Sequence, residues 1–454
     1  MSKAALLFPA LLLAAPVAAE PAAAQDGNVA VRAGKVITAP GQVIENGTVV
    51  VQNGRIVAVG GPDLEVPFDT MLREYPDGVL FAGFTEAHTS DGLDRPNENV
   101  PVAPFLNVAD SIDPVSFYFE DELRGGTTAI GVIPGNNCVI GGRGAVVAPT
   151  GRTVEEMALS SAMGMKIAIG PKWGWSRSTQ LAELREAESK LNDSLRRLGQ
   201  RLLDQEADQA DAVKAGEDAP EKKEDEDDLD SAGGFIQFGD DFPGKALISE
   251  EDLNDPDRGL ADILNGSDRI WLACPDATDV MHGIRWVKEH GLLDQTVFVV
   301  EAGAHKAASM LAETGRPVAL TGGLFHIEID LVTRKEERTF APKVFADAGV
   351  TLTIGSEKGR MGPDRLAYQA ATCVREGVAK DAALAMVSSN AGTLWGMEGK
   401  IGVLAEGAIG NMVILSGDPL SLQSKVIKVW VAGNEAYDRA NDVRLQRLLE
   451  GAEQ

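Results

Sequence analysis

Eight short apolar runs, separated by helical or polar stretches, constrain this chain more than any other feature. The candidate strands are Val79–Phe84, Thr127–Ile133, Ala145–Ala148, Met165–Ile169, Arg269–Ala273, Val297–Val300, Pro317–Leu320 and Val350–Ile354. Helical periodicity is clearest at Ala277–His290, His305–Glu313 and Pro363–Glu376. Apolar strands alternating with helices are the signature of βα units around a parallel sheet, and eight of them predict an α/β fold with a (β/α)8 barrel. A barrel takes roughly 250 residues, so a chain of 454 residues has room for added parts. Ala145–Ala148 is the shortest run and the weakest member of the set.

The additions are legible at both ends. Val29 to Gly60 is rich in β-branched residues and is punctuated by Pro40-Gly41, Asn46-Gly47 and Asn53-Gly54, which are hairpin signals. A second strand-rich stretch runs from Ile401 to Tyr437. Neither has enough strands to bury a face alone, so the two predict one small β-sandwich built from residues 25–78 and 399–438. That leaves 79–398 for the barrel and 439–454 for a C-terminal helix or tail. Between the fourth and fifth strands lies an insertion at about 176–250. From Ser176 it has leucines at helical spacing and no strong breaker before Gly199, which predicts a long amphipathic helix. The run Glu217 to Asp230, EDAPEKKEDEDDLD, reads as a disordered acidic loop and the insertion as a whole as solvated, with docking of a partner on the helix as the alternative.

Charge narrows the partners. A net charge of −26 opposes an extended interface with nucleic acid or an anionic membrane. The first 24 residues combine Lys3, an apolar stretch from Ala4 to about Val17 and small residues before Ala24. They read as a secretory signal, so a periplasmic or extracellular location is expected. No later stretch is long and apolar enough to span a bilayer. Cys138, Cys274 and Cys373 are scattered and read as buried small hydrophobes rather than disulfide or metal ligands.

The segment Val79 to Ser90, VLFAGFTEAHTS, resembles the first barrel strand of the amidohydrolase superfamily. That strand ends P-G-[FI]-[IV]-[DE]-x-H-x-H, and the match here runs from Ala82 through Gly83, Phe84, Thr85, Glu86 and Ala87 to His88, with Ser90 in place of the second imidazole. Side chains at i and i+2 on a strand share a face, which is why two imidazoles in that pattern reach one metal. Pro101–Pro114, Glu122–Pro149 and Glu398–Leu420 resemble the imidazolonepropionase-related branch. The resemblance implies one or two divalent metals at the barrel mouth, held by the H-x-H pair, a lysine that is often carboxylated, histidines after strands five and six and an aspartate after strand eight. Such a metal turns water into hydroxide at neutral pH. In this chain Ala273 and Pro275 follow strand five, and Val300 and Glu301 follow strand six, with His305 displaced onto the next helix. Glu357 stands where the aspartate belongs. One alignment puts Ala148 at the lysine position, another Lys166. The implied metal ligands are therefore His88, Lys166 and Glu357, for one zinc or for none.

Other candidates come from the residues themselves. GGLFHIEID places His326, Glu328 and Asp330 at i, i+2 and i+4 beyond the seventh strand, so an extended chain would present all three on one face near the mouth. With Glu357, His326 and Glu328 form the expected catalytic set. Arg143, in the glycine-rich segment Asn136 to Gly144, and Trp173 and Trp175 after strand four are candidates for substrate binding. His282 and His290 belong to an outer helix. No G-x-S-x-G elbow or Walker loop is present. The sequence thus points to an exported amidohydrolase-like hydrolase of non-peptide C–N bonds acting on a small cyclic amide. The alternative is a catalytically inactive binding subunit that pairs with an intact paralogous amidohydrolase.

Overall fold

The computed structural model describes residues 27–214, 234–359 and 362–452. The leader at 1–24 and the acidic run Glu217 to Asp230 lie outside the described residues. An eight-stranded barrel sheet follows chain order: β1 (Phe84–Thr89), β2 (Thr127–Val132), β3 (Ile140–Val147), β4 (Ala158–Ala168), β5 (Ile270–Ala273), β6 (Thr296–Val300), β7 (Val318–Leu320) and β8 (Leu352–Ile354). β8 returns beside β1 and nearly closes the barrel. Short, fully buried strands such as Ile270–Ala273 and Thr296–Val300 fit a sheet covered on both faces. The interior is filled by small and large side chains in alternation, among them Ala87, Met163, Trp271, Ala273, Val299 and Trp395.

Two strand assignments are corrected. The run Val79–Phe84 is divided: Val79 to Phe81 end a long strand, Met71–Phe81, in a different sheet, and the barrel begins at Phe84. Gly83 makes the break at φ 88°, and a Cβ there would lie 2.4 Å from Cγ2 of Thr128, so only glycine fits the turn. The run Ala145–Ala148 is the end of a longer strand, β3, which is antiparallel to both β2 and β4. The connection from Val132 to Ile140 is too short for the dozen or more residues that a parallel crossover requires, so the chain turns back as a hairpin.

The other eight-stranded sheet is made by both ends of the chain. Val29–Ala39, Gln42–Glu45, Thr48–Gln52, Arg55–Gly60 and Met71–Phe81 join Met412–Leu415, Val426–Val431 and Asn434–Asp438. The seam is antiparallel, with Val413 opposite Phe81 and Leu415 opposite Val79. Asn46 and Asn53 adopt φ of 51° and 50° at the predicted hairpin turns, a conformation that asparagine tolerates. No helix among the described residues is long and apolar enough to cross a membrane.

The insertion is a 38-residue helix, Arg177–Lys214, and its first half is structural rather than solvated. Leu184, Ala187, Leu191, Leu195 and Leu198 are buried in the outer core layer, at the three- and four-residue spacing of one helix face. Gln180, fully buried, donates to the carbonyls of Cys138 and Ala168 at 2.8 Å each. The helix continues through Gly199, where another segment approaches closely: a Cβ on Gly199 would lie 2.7 Å from the Pro243 carbonyl oxygen. Only beyond this point does the helix become largely exposed. Leu195→Ala should accordingly cost about 2–5 kcal/mol in urea unfolding, whereas a solvated insertion would show a change near zero.

Candidate functional site

Three side chains from separate elements meet inside the barrel. His88 lies at the end of β1. Lys166 lies on β4, level with Trp271 of β5, and Asn136 sits in the turn between β2 and β3. The Lys166 amine is 2.5 Å from Nε2 of His88 and donates to Oδ1 of Asn136 at 2.9 Å. The His88 ring packs 5.8 Å from the Trp271 ring. Lys166 is completely buried, and neither hydrogen-bond partner carries a negative charge, so desolvation brings its pKa down to about 7. Burial, followed by the Lys166 charge, holds the His88 imidazolium well below its ordinary range. The pair is a neutral amine against a neutral imidazole above that pH. Nearby Cys138 is no nucleophile, because burial pushes its thiol up to about 11.

Glu86 precedes His88 by two residues on the same strand face. Its Oε2 accepts the Ser356 amide at 2.7 Å, tying β1 to the segment after β8. Oε1 has no hydrogen-bond partner among the described residues. Burial first, and the Glu122 carboxylate second, raise its pKa to about 8, so the group is a neutral acid at physiological pH.

A second polar group lies on the rim. Asp276 follows β5, Glu301 follows β6, and the rings of His305 and His326 are 5.1 Å apart. A Cβ on Gly303 would touch Oδ1 of Asp276 at 2.5 Å and approach Nδ1 of His326 at 3.6 Å. Burial raises the Glu301 pKa, and Asp276 raises it further. Glu328 is bound by Lys306 at 2.8 Å, which lowers its pKa. Asp330 turns away from the expected shared face and accepts the amides of Val332 and Thr333.

The remaining candidates are dispersed. The Arg143 guanidinium is engaged by Asp262 at 2.5 Å and Asp268 at 2.9 Å. Trp173 is 91% exposed, and Trp175 packs against the outer core. Glu357 begins the short strand Glu357–Gly359, paired with Gly362–Asp364, and its side chain lies outside the described residues. Ala148 follows the reversed strand β3, toward the end of the barrel where its parallel neighbours begin, so of the two lysine-site alignments only Lys166 reaches His88. Asn136, Glu86 and Trp271 were not singled out from the sequence. The two-residue spacing from His88 was a signal for Glu86, whereas nothing local distinguished Asn136 from other turn residues. A cavity of 270 Å³ lies beside the Asn136 turn, lined by Asp94, Asn97, Asn107, Pro134, Cys138 and Gly141 among others. A larger groove of 850 Å³ lies between the end sheet and the segment Thr150 to Glu156 and contains none of these groups.

Residues 267–437 match the sequence profile of the amidohydrolase family. The match spans β5 to β8 and the strands that return to the end sheet. An amidohydrolase from Thermotoga maritima superposes with a TM-score of 0.68 at 22% identity, over 90% of this chain and 100% of that one. The amidohydrolase barrel is therefore the fold. A zinc-bound adenosine deaminase from Xanthomonas campestris (18% identity, TM-score 0.48, 94% and 97% of the two chains) and an atrazine chlorohydrolase from Arthrobacter aurescens complexed with zinc (14%, 0.47, 93% and 98%) align too loosely to bear on the site. No curated protein matches the chain. Among the described residues no three His, Cys, Asp or Glu side chains converge closely enough to hold a metal ion. At the amidohydrolase mouth His88 meets an amine and an amide instead of a second imidazole, a donor set that does not fit catalytic zinc.

The two shifted pKa values give opposite pH dependences. Lys166 is depressed in the folded state, so its penalty is present in full below about 7 and is relieved as pH rises from there through the unfolded value near 10.5. Glu86 is raised, so its contribution is present below the unfolded value of 4.5 and is lost as pH rises through about 8. Relative to wild type, Lys166→Met should remove a positive slope of up to about 1.4 kcal/mol per pH unit between those limits. Glu86→Gln should gain stability between pH 6 and 9. Urea melts across pH 6–10 provide both measurements, and parallel curves for all three proteins would contradict them.

Proposed function

We propose that the protein is an exported hydrolase of the amidohydrolase type, in the imidazolonepropionase-related branch, that opens a non-peptide C–N bond in a small cyclic amide with Lys166 as general base. The observation that carries this reading is the Lys166 amine, buried without a carboxylate at the end of the barrel where this fold places its chemistry. A buried lysine with no counter-charge is costly to keep for structure alone, and perturbed bases of this kind concentrate at functional sites. The 270 Å³ cavity beside the Asn136 turn is near the lower end of small-ligand pocket sizes, and because Lys166 does not line it, the reaction requires that turn to move so that water and amide reach the amine.

In the reaction, water attacks the amide carbonyl as its proton passes to Nζ of Lys166. The resulting ammonium returns that proton to the leaving nitrogen as the C–N bond breaks. Asn136 Oδ1 holds the amine in place, and His88, uncharged, accepts the second N–H without competing for the proton. No step is routed through a metal.

The rise of kcat/KM for a cyclic amide should follow deprotonation of Lys166, through about pH 7. Lys166→Met should lower kcat by about 10²–10⁴-fold, and the purified protein should hold well under one equivalent of zinc by elemental analysis. One equivalent of zinc, lost together with activity in His88→Ala, would replace this reading with metal-assisted hydrolysis. The amine that meets His88 where a second imidazole is expected also favours a second reading, a binding subunit without turnover that pairs with an intact paralogue. It requires that a cyclic amide bind without being cleaved and that the paralogue co-purify. Export rests on the leader at 1–24, and N-terminal sequencing of the mature protein tests it.

A further inference from the structure

The hairpin of Phe325–Ile329 and Glu336–Phe340, which follows β7, has two unlike faces. Opposed residues of an antiparallel pair point the same way. His326 and Thr339, with Glu328 and Glu337, form the face turned toward the barrel, where His326 meets His305 and Glu328 meets Lys306. The opposite face carries Phe325 and Phe340, which pack against the outer core at its base, and beyond them Ile327 opposite Arg338 and Ile329 opposite Glu336. Ile327 and Ile329 are 54% and 55% exposed, and Leu331 and Val332 at the tip are 80% and 91% exposed. A two-stranded ribbon is marginal by itself, and clustered exposed aliphatic residues of this kind mark interaction sites.

The charges on the outward face select the partner. Glu336 and Arg338 flank the isoleucine pair with opposite signs, and the Arg338 guanidinium is already stacked 3.6 Å from the centre of the Phe325 ring. A two-fold axis between Ile327 and Ile329 brings each Arg338 opposite the Glu336 of another copy while the isoleucines pack across the axis. An anionic bilayer is a poorer match, since Glu328, Asp330, Glu336 and Glu337 outnumber Arg334, Lys335 and Arg338 on the hairpin and the whole chain carries −26. We propose that this face is a dimer interface with a second copy of the same chain, isologous and centred on Ile327 and Ile329. The inference is independent of the reaction assigned to the barrel.

Sedimentation velocity on the full chain, at up to about 50 μM, tests it. Wild type should sediment as a dimer, and the combined Ile327→Glu and Ile329→Glu variant as a monomer with unchanged circular dichroism. Arg338→Glu alone and Glu336→Arg alone should each weaken the dimer about tenfold or more, because like charges then face each other twice. The two reversals together restore opposite signs and should bring the dimer back to within about threefold of wild type. If the isoleucine variant fails to fold, the charge series decides alone, since those side chains are exposed. A monomeric wild type, a dimer indifferent to the reversals, a double reversal that does not recover, or a monomer that binds anionic vesicles would each overturn the proposal.

Discussion

A lysine amine with no carboxylate beside it is stable inside a barrel only as the free base. Lys166 meets that condition through His88 and Asn136, and the local architecture follows from the need to bring these three together. β1 must carry His88 near its end, β4 must run level with β5, and the turn after β2 must fold back over the mouth to deliver Asn136. With the Asn136 turn in place, the packed interior around Trp271 keeps out the water that would otherwise solvate an ammonium. Glu86, one strand step below His88, is likewise kept neutral by burial, so the strand that carries the imidazole presents no fixed charge to it.

Most of the fold was legible because its signal is local. Each of the eight apolar runs contributes to a strand, and the hairpin signals at Asn46 and Asn53 coincide with left-handed turns. The errors have identifiable causes. Val79 to Phe84 is continuously apolar, and only the left-handed conformation at Gly83, where Thr128 leaves no room for a Cβ, shows that it serves two sheets. The reversal of β3 was implicit in the short link from Val132 to Ile140, a constraint of chain length rather than composition. The long helix was expected, but which half of it would be covered depended on partners distant in sequence.

The site was less legible, because it depends on distances between strands. His88 and Lys166 stood out as residue types, yet nothing in one sequence says that 78 positions of separation end in a 2.5 Å contact. His326 and Glu328 met the two-residue spacing rule and do share a face, but the hairpin turns that face to His305 and Lys306. Arg143 is a substrate-binding candidate by its glycine-rich surroundings, and the two aspartates that engage it lie more than a hundred residues away. The amidohydrolase match begins at residue 267, after both Lys166 and His88. The portion of the chain that matches the amidohydrolase profile is therefore not the portion that holds the buried pair.

Gln180 changes how the insertion should be regarded. Its amide grips one carbonyl in the turn that holds Asn136 and another at the end of the strand that holds Lys166. The outer helix thereby clamps two of the three arms of the inner triad from behind. Shortening the chain at this point, as one would trim an ornamental loop, would remove a brace and let the mouth of the barrel slacken.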